Sequence, residues 1–232
     1  MPAKVQFDVL SLFPSMLEGI VKESIIGRAI ANELIDVRSH DLRRWTDDKH
    51  RIADDRPFGG GPGMVLKPEP LFEAIEELRQ NDSEVIYMAP DGEVLSRALS
   101  EELSKRKHMV LISGHYEGID QRVRDHLVTR EVSIGDFVLT NGTLAAATLI
   151  DAVSRFVPGV LGDRESLTQD SFASNRLSFP QYTRPAEFRG VSVPEILLSG
   201  DHEAIRQWRL EQAENKTLSR RPDLISSTKT SS

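Results

Sequence analysis

No cysteine occurs among the 232 residues. Disulfides, thiolate metal sites and cysteine nucleophiles are thereby excluded together. No window approaches the roughly 18 consecutive apolar residues that a membrane-spanning helix needs. The N-terminal stretch MPAKVQFDVLSLFP has Asp8 inside its apolar run and no small-residue cleavage site, so no signal peptide is expected. Two nucleotide-binding signatures are also missing: no Gly-Lys-Ser/Thr closes a Walker A loop, and no G-x-G-x-x-G follows a strand. No internal repeat is found. These absences lead to the expectation of a cytoplasmic protein without a membrane partner.

A hydrophobic content of 39% and a charged content of 28% are globular values, and the length suits one large or two modest domains. The formal net charge of −7 argues against a protein that coats nucleic acid non-specifically. Locally the sign changes, since residues 175–222 carry eight Lys/Arg against six Asp/Glu.

Along the chain, strands alternate with helices. The pattern predicts a strand over Lys4–Leu12, a helix opening at Pro14 and running to about Ile30, and a strand over Ile35–His40. The segment Asp41–Arg56 mixes charges of both signs around one Trp, and reads as a solvated loop or as the polar lip of a site. Phe58-Gly59-Gly60-Gly61-Pro62-Gly63-Met64 permits no regular element. A helix over Pro68–Gln80, a strand over Glu84–Ala89 ending in a Pro90-Asp91-Gly92 turn, a helix over Ser96–Lys107 and an apolar strand over His108–Ser113 follow. Such alternation implies an α/β fold with a mainly parallel sheet. In these sheets ligands sit beyond the carboxyl ends of strands. Three loops there qualify: Tyr87–Asp91, Ser113–Asp120 and Gly135–Gly142. They converge only if their strands are neighbours.

The stretch Glu131–Gly159 organises the rest. It opens as a strand at Val132 and Ile134, breaks at Gly135-Asp136, and turns at Thr140-Asn141-Gly142. A helix then follows, with Thr143 as its expected N-cap and Ala146, Leu149, Ile150, Val153 and Val157 on one apolar face. A turn poor in side chains before a helix N-terminus lets a ligand approach the main chain closely. Val160–Ser174 reads as a polar linker, Leu177–Pro194 as irregular, and Asp201 as the N-cap of another helix. The final SSTKTSS is expected to be disordered.

The ordered set FDVLSLFP, FGGGPGMVLKPEPL, ISGHYEGIDQR, SIGDFVL, LIDAVSRFVPGVLG, DSF, YTRP and VPEILLSGDHEAIRQWR spans nearly the whole chain. It resembles the bacterial tRNA (guanine-N1)-methyltransferases of the TrmD family, in the SPOUT superfamily. The resemblance implies a SPOUT domain over residues 1–160 whose C-terminal part forms a deep trefoil knot, an exception to the unthreaded norm. A flexible linker over 161–175, a small helical tRNA-binding domain over 176–225 and a disordered tail over 226–232 complete that plan. It also implies a homodimer with interfacial active sites. The implied reaction moves a methyl group from S-adenosylmethionine to N1 of the guanosine immediately 3′ of the tRNA anticodon (position 37).

Matched to the family motifs, Asp170 becomes the general base and Arg155 the cation that stabilises developing charge. Around the cofactor the match places Tyr87, Met88, Ala89 and Pro90, then Gly114, Tyr116, Glu117 and Ile119. Ile134, Gly135, Asp136, Phe137, Val138, Leu139 and Gly142 close the set. Glu117 is also the candidate for holding Mg²⁺. Arg184, Arg189, Arg206 and Arg209 would hold the anticodon stem-loop by its phosphates. By residue type alone the alternatives remain open. Arg155, four residues after Asp151, suits a surface ion pair; Asp170 suits a solvated acid or a helix cap; Glu117 suits a pair with Arg122. The chain also departs from the family. Many members read Gly-Gly-Glu-Leu-Pro where this one has Asn141-Gly142-Thr143-Leu144-Ala145, and Phe137 and His115 stand where Tyr and Arg are common.

Overall fold

Short apolar runs separated by amphipathic ones set the order of elements in the computed structural model, which describes residues 5–163 and 165–226. The first of two units, Met1–Gly162, begins with β1 (Val5–Ser11), α1 (Ser15–Val21), α2 (Ser24–Ala31) and β2 (Ile35–Asp41). A 3-10 turn over Leu42–Trp45 leads to the two-residue strands β3 (Asp54–Asp55) and β4 (Val65–Leu66). Then come α3 (Pro68–Leu78), β5 (Glu84–Val94), α4 (Arg97–Leu103), β6 (His108–Ser113), α5 (Gln121–His126), β7 (Arg130–Ser133) and α6 (Thr143–Ser154).

The main sheet has five strands in the order β2-β1-β6-β5-β7, and every pairing in it is parallel. Parallel neighbours need crossovers, and the intervening helices cover both faces. Alternation along each strand divides the core. Phe7, Val9, Ile86, Met88, Met109 and Leu111 pack on one side with Leu149, Ile150 and Val153 of α6. Leu10, Val85, Tyr87, Val110 and Ile112 pack on the other with Leu71 and Ile75 of α3. The α/β class with a parallel sheet is as the alternation implies.

Several boundaries differ from the sequence expectation. The helix expected from Pro14 to Ile30 is two helices, because the chain leaves helical geometry at Glu23 (φ −112°, ψ 161°) and restarts. Gly27 allows the restart: a Cβ there would fall 2.4 Å from the Lys22 carbonyl oxygen. The Pro90-Asp91-Gly92 turn does not end β5. Met88 and Glu93 both oppose Val132, so the segment between them is a bulge within a longer strand. α4 is shorter than expected, ending at Leu103, with Ser96 Oγ accepting from Leu99 N–H (3.1 Å) as its cap.

The second unit is Asp163–Ser232. Within the stretch expected to be a linker lies a short helix, α7 (Glu165–Gln169). A two-strand hairpin, β8 (Glu187–Phe188) and β9 (Val191–Ser192), precedes a 3-10 turn over Glu195–Leu198. α8 (His202–Arg220) is capped by Asp201, whose carboxylate accepts from Ala204 N–H (3.0 Å), and α9 (Asp223–Ser226) follows. Beyond Ser226, the expected tail lies outside the described residues. Among the described residues no helix is long and apolar enough to cross a membrane.

Candidate active site

Because β6, β5 and β7 are neighbours, the loops that follow β6 and β7 meet the bulged middle of β5. They enclose a cleft of about 260 Å³. Its wall includes Tyr87, Met88, Ala89 and Pro90 from β5, and Gly114, Tyr116 and Glu117 from the loop after β6. Ile134, Gly135, Phe137, Val138, Leu139 and Gly142 supply the rest of the expected set. Ile119 does not reach the wall, since it is packed with Tyr87 in the core, and Asp136 is an exposed turn residue away from it. The wall also holds residues the motifs did not flag: His115, Gly118, Val132, Ser133, Thr140, Asn141 and Ala145. His115, Asn141 and Ala145 are positions where the chain departs from the family, and Gly118 and Ser133 lie inside matched motifs.

The departing segment Asn141–Ala145 is knitted into the sheet ends. Gly142 N–H donates to the Gly114 carbonyl (2.9 Å), and Asn141 forms an isolated bridge with His115. Thr143 is not the cap of α6. Its hydroxyl is wholly buried between Ser11 Oγ (3.1 Å) and Ser113 Oγ (2.9 Å), while Asn141 Oδ1 accepts from Thr143 N–H (2.9 Å). Gly142 fits because a Cβ would stand only 3.0 Å from Ser113 Cα.

Tyr87 forms the floor. Burial pushes its phenol above the ordinary value. Arg124 lies over its ring (5.4 Å) and donates to Glu131 (2.7 Å) and Asp91 (2.7 Å), fixing the β5 bulge. Those contacts hold Arg124 above its usual value and, through Arg124's hydrogen bond, Asp91 below its own. Among the described residues Glu117 is the only Asp, Glu, Lys or Arg on the cleft wall, and its main-chain N–H donates to the Met64 carbonyl (3.0 Å). It does not pair with Arg122, which binds Asp120 instead (2.8 Å), two residues from it in sequence. Among the described residues no group of three or more His, Asp or Glu could hold a metal. His115 meets Tyr116 edge-on (ring centroids 4.0 Å apart) and Phe13 at a tilt (5.4 Å), and its buried Nδ1 has no partner among the described residues.

Comparison with known proteins bears on this cleft. The family described as tRNA (Guanine-1)-methyltransferase TrmD matches residues 5–227. The chain belongs to the TrmD family. A relative from Dictyoglomus turgidum, named tRNA (guanine-N(1)-)-methyltransferase, is 49% identical over 97% of this chain and 91% of its own length. One of the same name from Moorella thermoacetica is 52% identical over 95% and 90%, and one from Geobacillus kaustophilus is 48% identical over 95% and 91%.

The remaining residues that the TrmD resemblance singles out fall in both units. Arg155 is the C-cap residue of α6 in the first unit, half-buried; Asp170 follows α7 in the second, also half-buried. Asp170 lines a cavity of about 450 Å³ together with Arg176 and Arg206. Of the four basic residues offered to RNA, Arg206 is paired with Glu203, and Arg189 lies over Phe188 (5.2 Å) in the hairpin. Arg184 is exposed, and Arg209 is half-buried over Phe179 (4.8 Å).

Proposed function

We propose that the protein transfers a methyl group from S-adenosylmethionine to N1 of the guanosine immediately 3′ of the anticodon, position 37, in tRNA. The observation that carries this reading is a cleft built where the loops after β6 and β7 meet the β5 bulge, in a member of the TrmD family. Bound there, S-adenosylmethionine supplies an electrophilic methyl carbon on a sulfonium sulfur. The wall suits such a molecule: turn backbone at Gly114, Gly135 and Gly142, apolar cover from Val138 and Leu139, and a single carboxylate, Glu117, to balance positive charge. The unpartnered His115 Nδ1 is available to a polar ligand atom.

The chemistry is an in-line displacement, so the site's task is alignment. N1 of guanine carries a proton at neutral pH and is a poor nucleophile until that proton leaves. In this reading the Asp170 carboxylate takes it, the new N1–C bond forms, and the C–S bond breaks with its electron pair passing to sulfur. Arg155 stabilises the negative charge developing on O6 of the base. Arg155 belongs to the first compact unit and Asp170 to the second, and in this reading RNA binding orders both around the target base. A homodimer with interfacial sites, a trefoil knot around the cofactor loops, a tRNA-holding second unit and a cytoplasmic location belong to the same reading. Any Mg²⁺ would be held by Glu117 with oxygens of RNA and water, since Mg²⁺ commonly uses one or two carboxylates.

The test is transfer of labelled methyl groups to an unmodified tRNA transcript by the wild-type protein, Asp170→Ala and Arg155→Ala. Loss of a positioned base is expected to lower kcat about 10²- to 10⁴-fold with cofactor binding retained. Unchanged turnover in Asp170→Ala would remove it from the mechanism.

A further inference from the structure

The second unit contains a cavity of about 370 Å³ whose wall includes Phe179, Tyr182, Arg184, Ile205 and Arg209. Small-ligand sites fall in roughly the 300–1,000 Å³ range. Its construction is specific. The strap leading into Phe179 is tied to α8, for Thr217 Oγ1, wholly buried, accepts from Leu177 N–H (2.9 Å) and Lys216 Nζ donates to the Ser178 carbonyl (2.9 Å). Arg209 lays its guanidinium over Phe179, and its buried Nε has no hydrogen-bond partner among the described residues. A buried donor left unpaired is costly and calls for an acceptor. Tyr182 is half-exposed and backed by Trp208, with ring centroids 6.5 Å apart.

The charges are uneven. Among the described residues neither Arg184 nor Arg209 has a carboxylate partner, whereas Arg206 is neutralised by Glu203. Aromatic faces, a stacked guanidinium with a spare donor and an unpaired cation at the rim together suit a flat, hydrogen-bonding, anion-linked ligand. Unstacked nucleotides have that chemistry, and proteins hold them by aromatic and arginine stacking with contacts to base edges.

We propose that this cavity binds one unstacked nucleobase of the RNA substrate, other than the guanosine that is methylated. Tyr182 stacks on the base, Arg209 Nε donates to an acceptor on its edge, and Arg184 meets the adjoining phosphate. The inference rests on the reading that tRNA is the substrate, and adds that the second unit reads a base as well as holding backbone.

The test is filter binding of an unmodified tRNA transcript to the full-length protein over a range of salt concentrations, for wild type, Tyr182→Phe, Tyr182→Leu and Arg209→Gln. Loss of one stack should weaken binding by about 10- to 100-fold in Tyr182→Leu, which keeps side-chain bulk, while Tyr182→Phe stays within about twofold. Arg209→Gln should bind more weakly with the salt slope of wild type, as a base contact releases no counterion. Wild-type affinity in Tyr182→Leu and Arg209→Gln would overturn the proposal. So would a slope lowered by roughly one phosphate contact in Arg209→Gln, which would make Arg209 a backbone residue. Methyl transfer is scored separately. RNA binding weakened as expected in a protein that transfers no methyl group supports the cavity and contradicts the catalytic reading, and a wild-type protein that binds no tRNA contradicts both.

Discussion

Asp8 is the charge that least fits its surroundings. It sits in β1 between Phe7 and Val9, fully buried, and accepts from His40 Nε2 (2.6 Å), His108 Nε2 (2.7 Å) and Gln6 Nε2 (2.6 Å). The network continues from His108 Nδ1 to Ser83 Oγ (2.6 Å). Burial alone would push the Asp8 carboxyl up, yet the hydrogen bonds from His108, His40 and Gln6 outweigh it and hold the group well below the usual carboxylate range. A depressed folded value means that its contribution is complete above the ordinary value of 3.8 and is lost as pH falls from there through the folded value. Asp8→Asn is expected to lose about 3 kcal/mol at pH 7, measured by urea unfolding, with the gap from wild type narrowing below about pH 3.8. A gap that stays constant with pH would mean the charge of Asp8 contributes nothing. At the cleft floor, Gly118 has φ +110° and a Cβ there would stand 2.9 Å from the Tyr87 hydroxyl. Gly118→Ala should cost about 1–3 kcal/mol in unfolding free energy and weaken cofactor binding.

Among the elements, α6 was the most legible. Its residues Ala146, Leu149, Ile150 and Val153 recur at helical spacing and are all buried. Its cap was not legible, because the Thr143 hydroxyl answers to Ser11 and Ser113, distant in sequence and adjacent only after the sheet forms. The β5 bulge was hidden for the same reason: Pro90-Asp91-Gly92 reads locally as a stop, and only Val132 on the neighbouring strand reveals that pairing resumes. The candidate site followed this division. Turn residues after each strand marked the three loops, whereas the strand order that brings them together, and the inward place of His115 and Asn141, came from tertiary pairing. Two substitutions test the account of this helix start by denaturant unfolding. Asn141→Ala should lose about 1 kcal/mol with the acceptor of the Thr143 N–H, and Thr143→Val about 1–3 kcal/mol by taking the hydroxyl partner from buried Ser113 and leaving Ser11 only the Phe13 N–H. Wild-type stability in both would show that the segment is held by something else.

For the whole molecule, the proposed mechanism draws on both units, Arg155 from the first and Asp170 from the second. The proposed homodimer would use exposed apolar side chains: Met16 and Ile20 share one face of α1, and Leu144 lies on α6, while Val138 on the cleft wall is 82% exposed. In the proposed homodimer, the double variant Ile20→Glu, Leu144→Glu should reduce the solution mass from about twice 26.0 kDa to a single chain, with methyl transfer lost. An unchanged mass would place the interface elsewhere.

The central claim is the target atom. Two unmodified tRNA transcripts differing only in the nucleotide immediately 3′ of the anticodon, guanosine in one and adenosine in the other, are incubated with the protein and labelled S-adenosylmethionine, with and without Mg²⁺. The account predicts label in the guanosine transcript alone, recovered as 1-methylguanosine and absent with Asp170→Ala. Equal labelling of both transcripts, or cofactor binding without transfer to either, would contradict it.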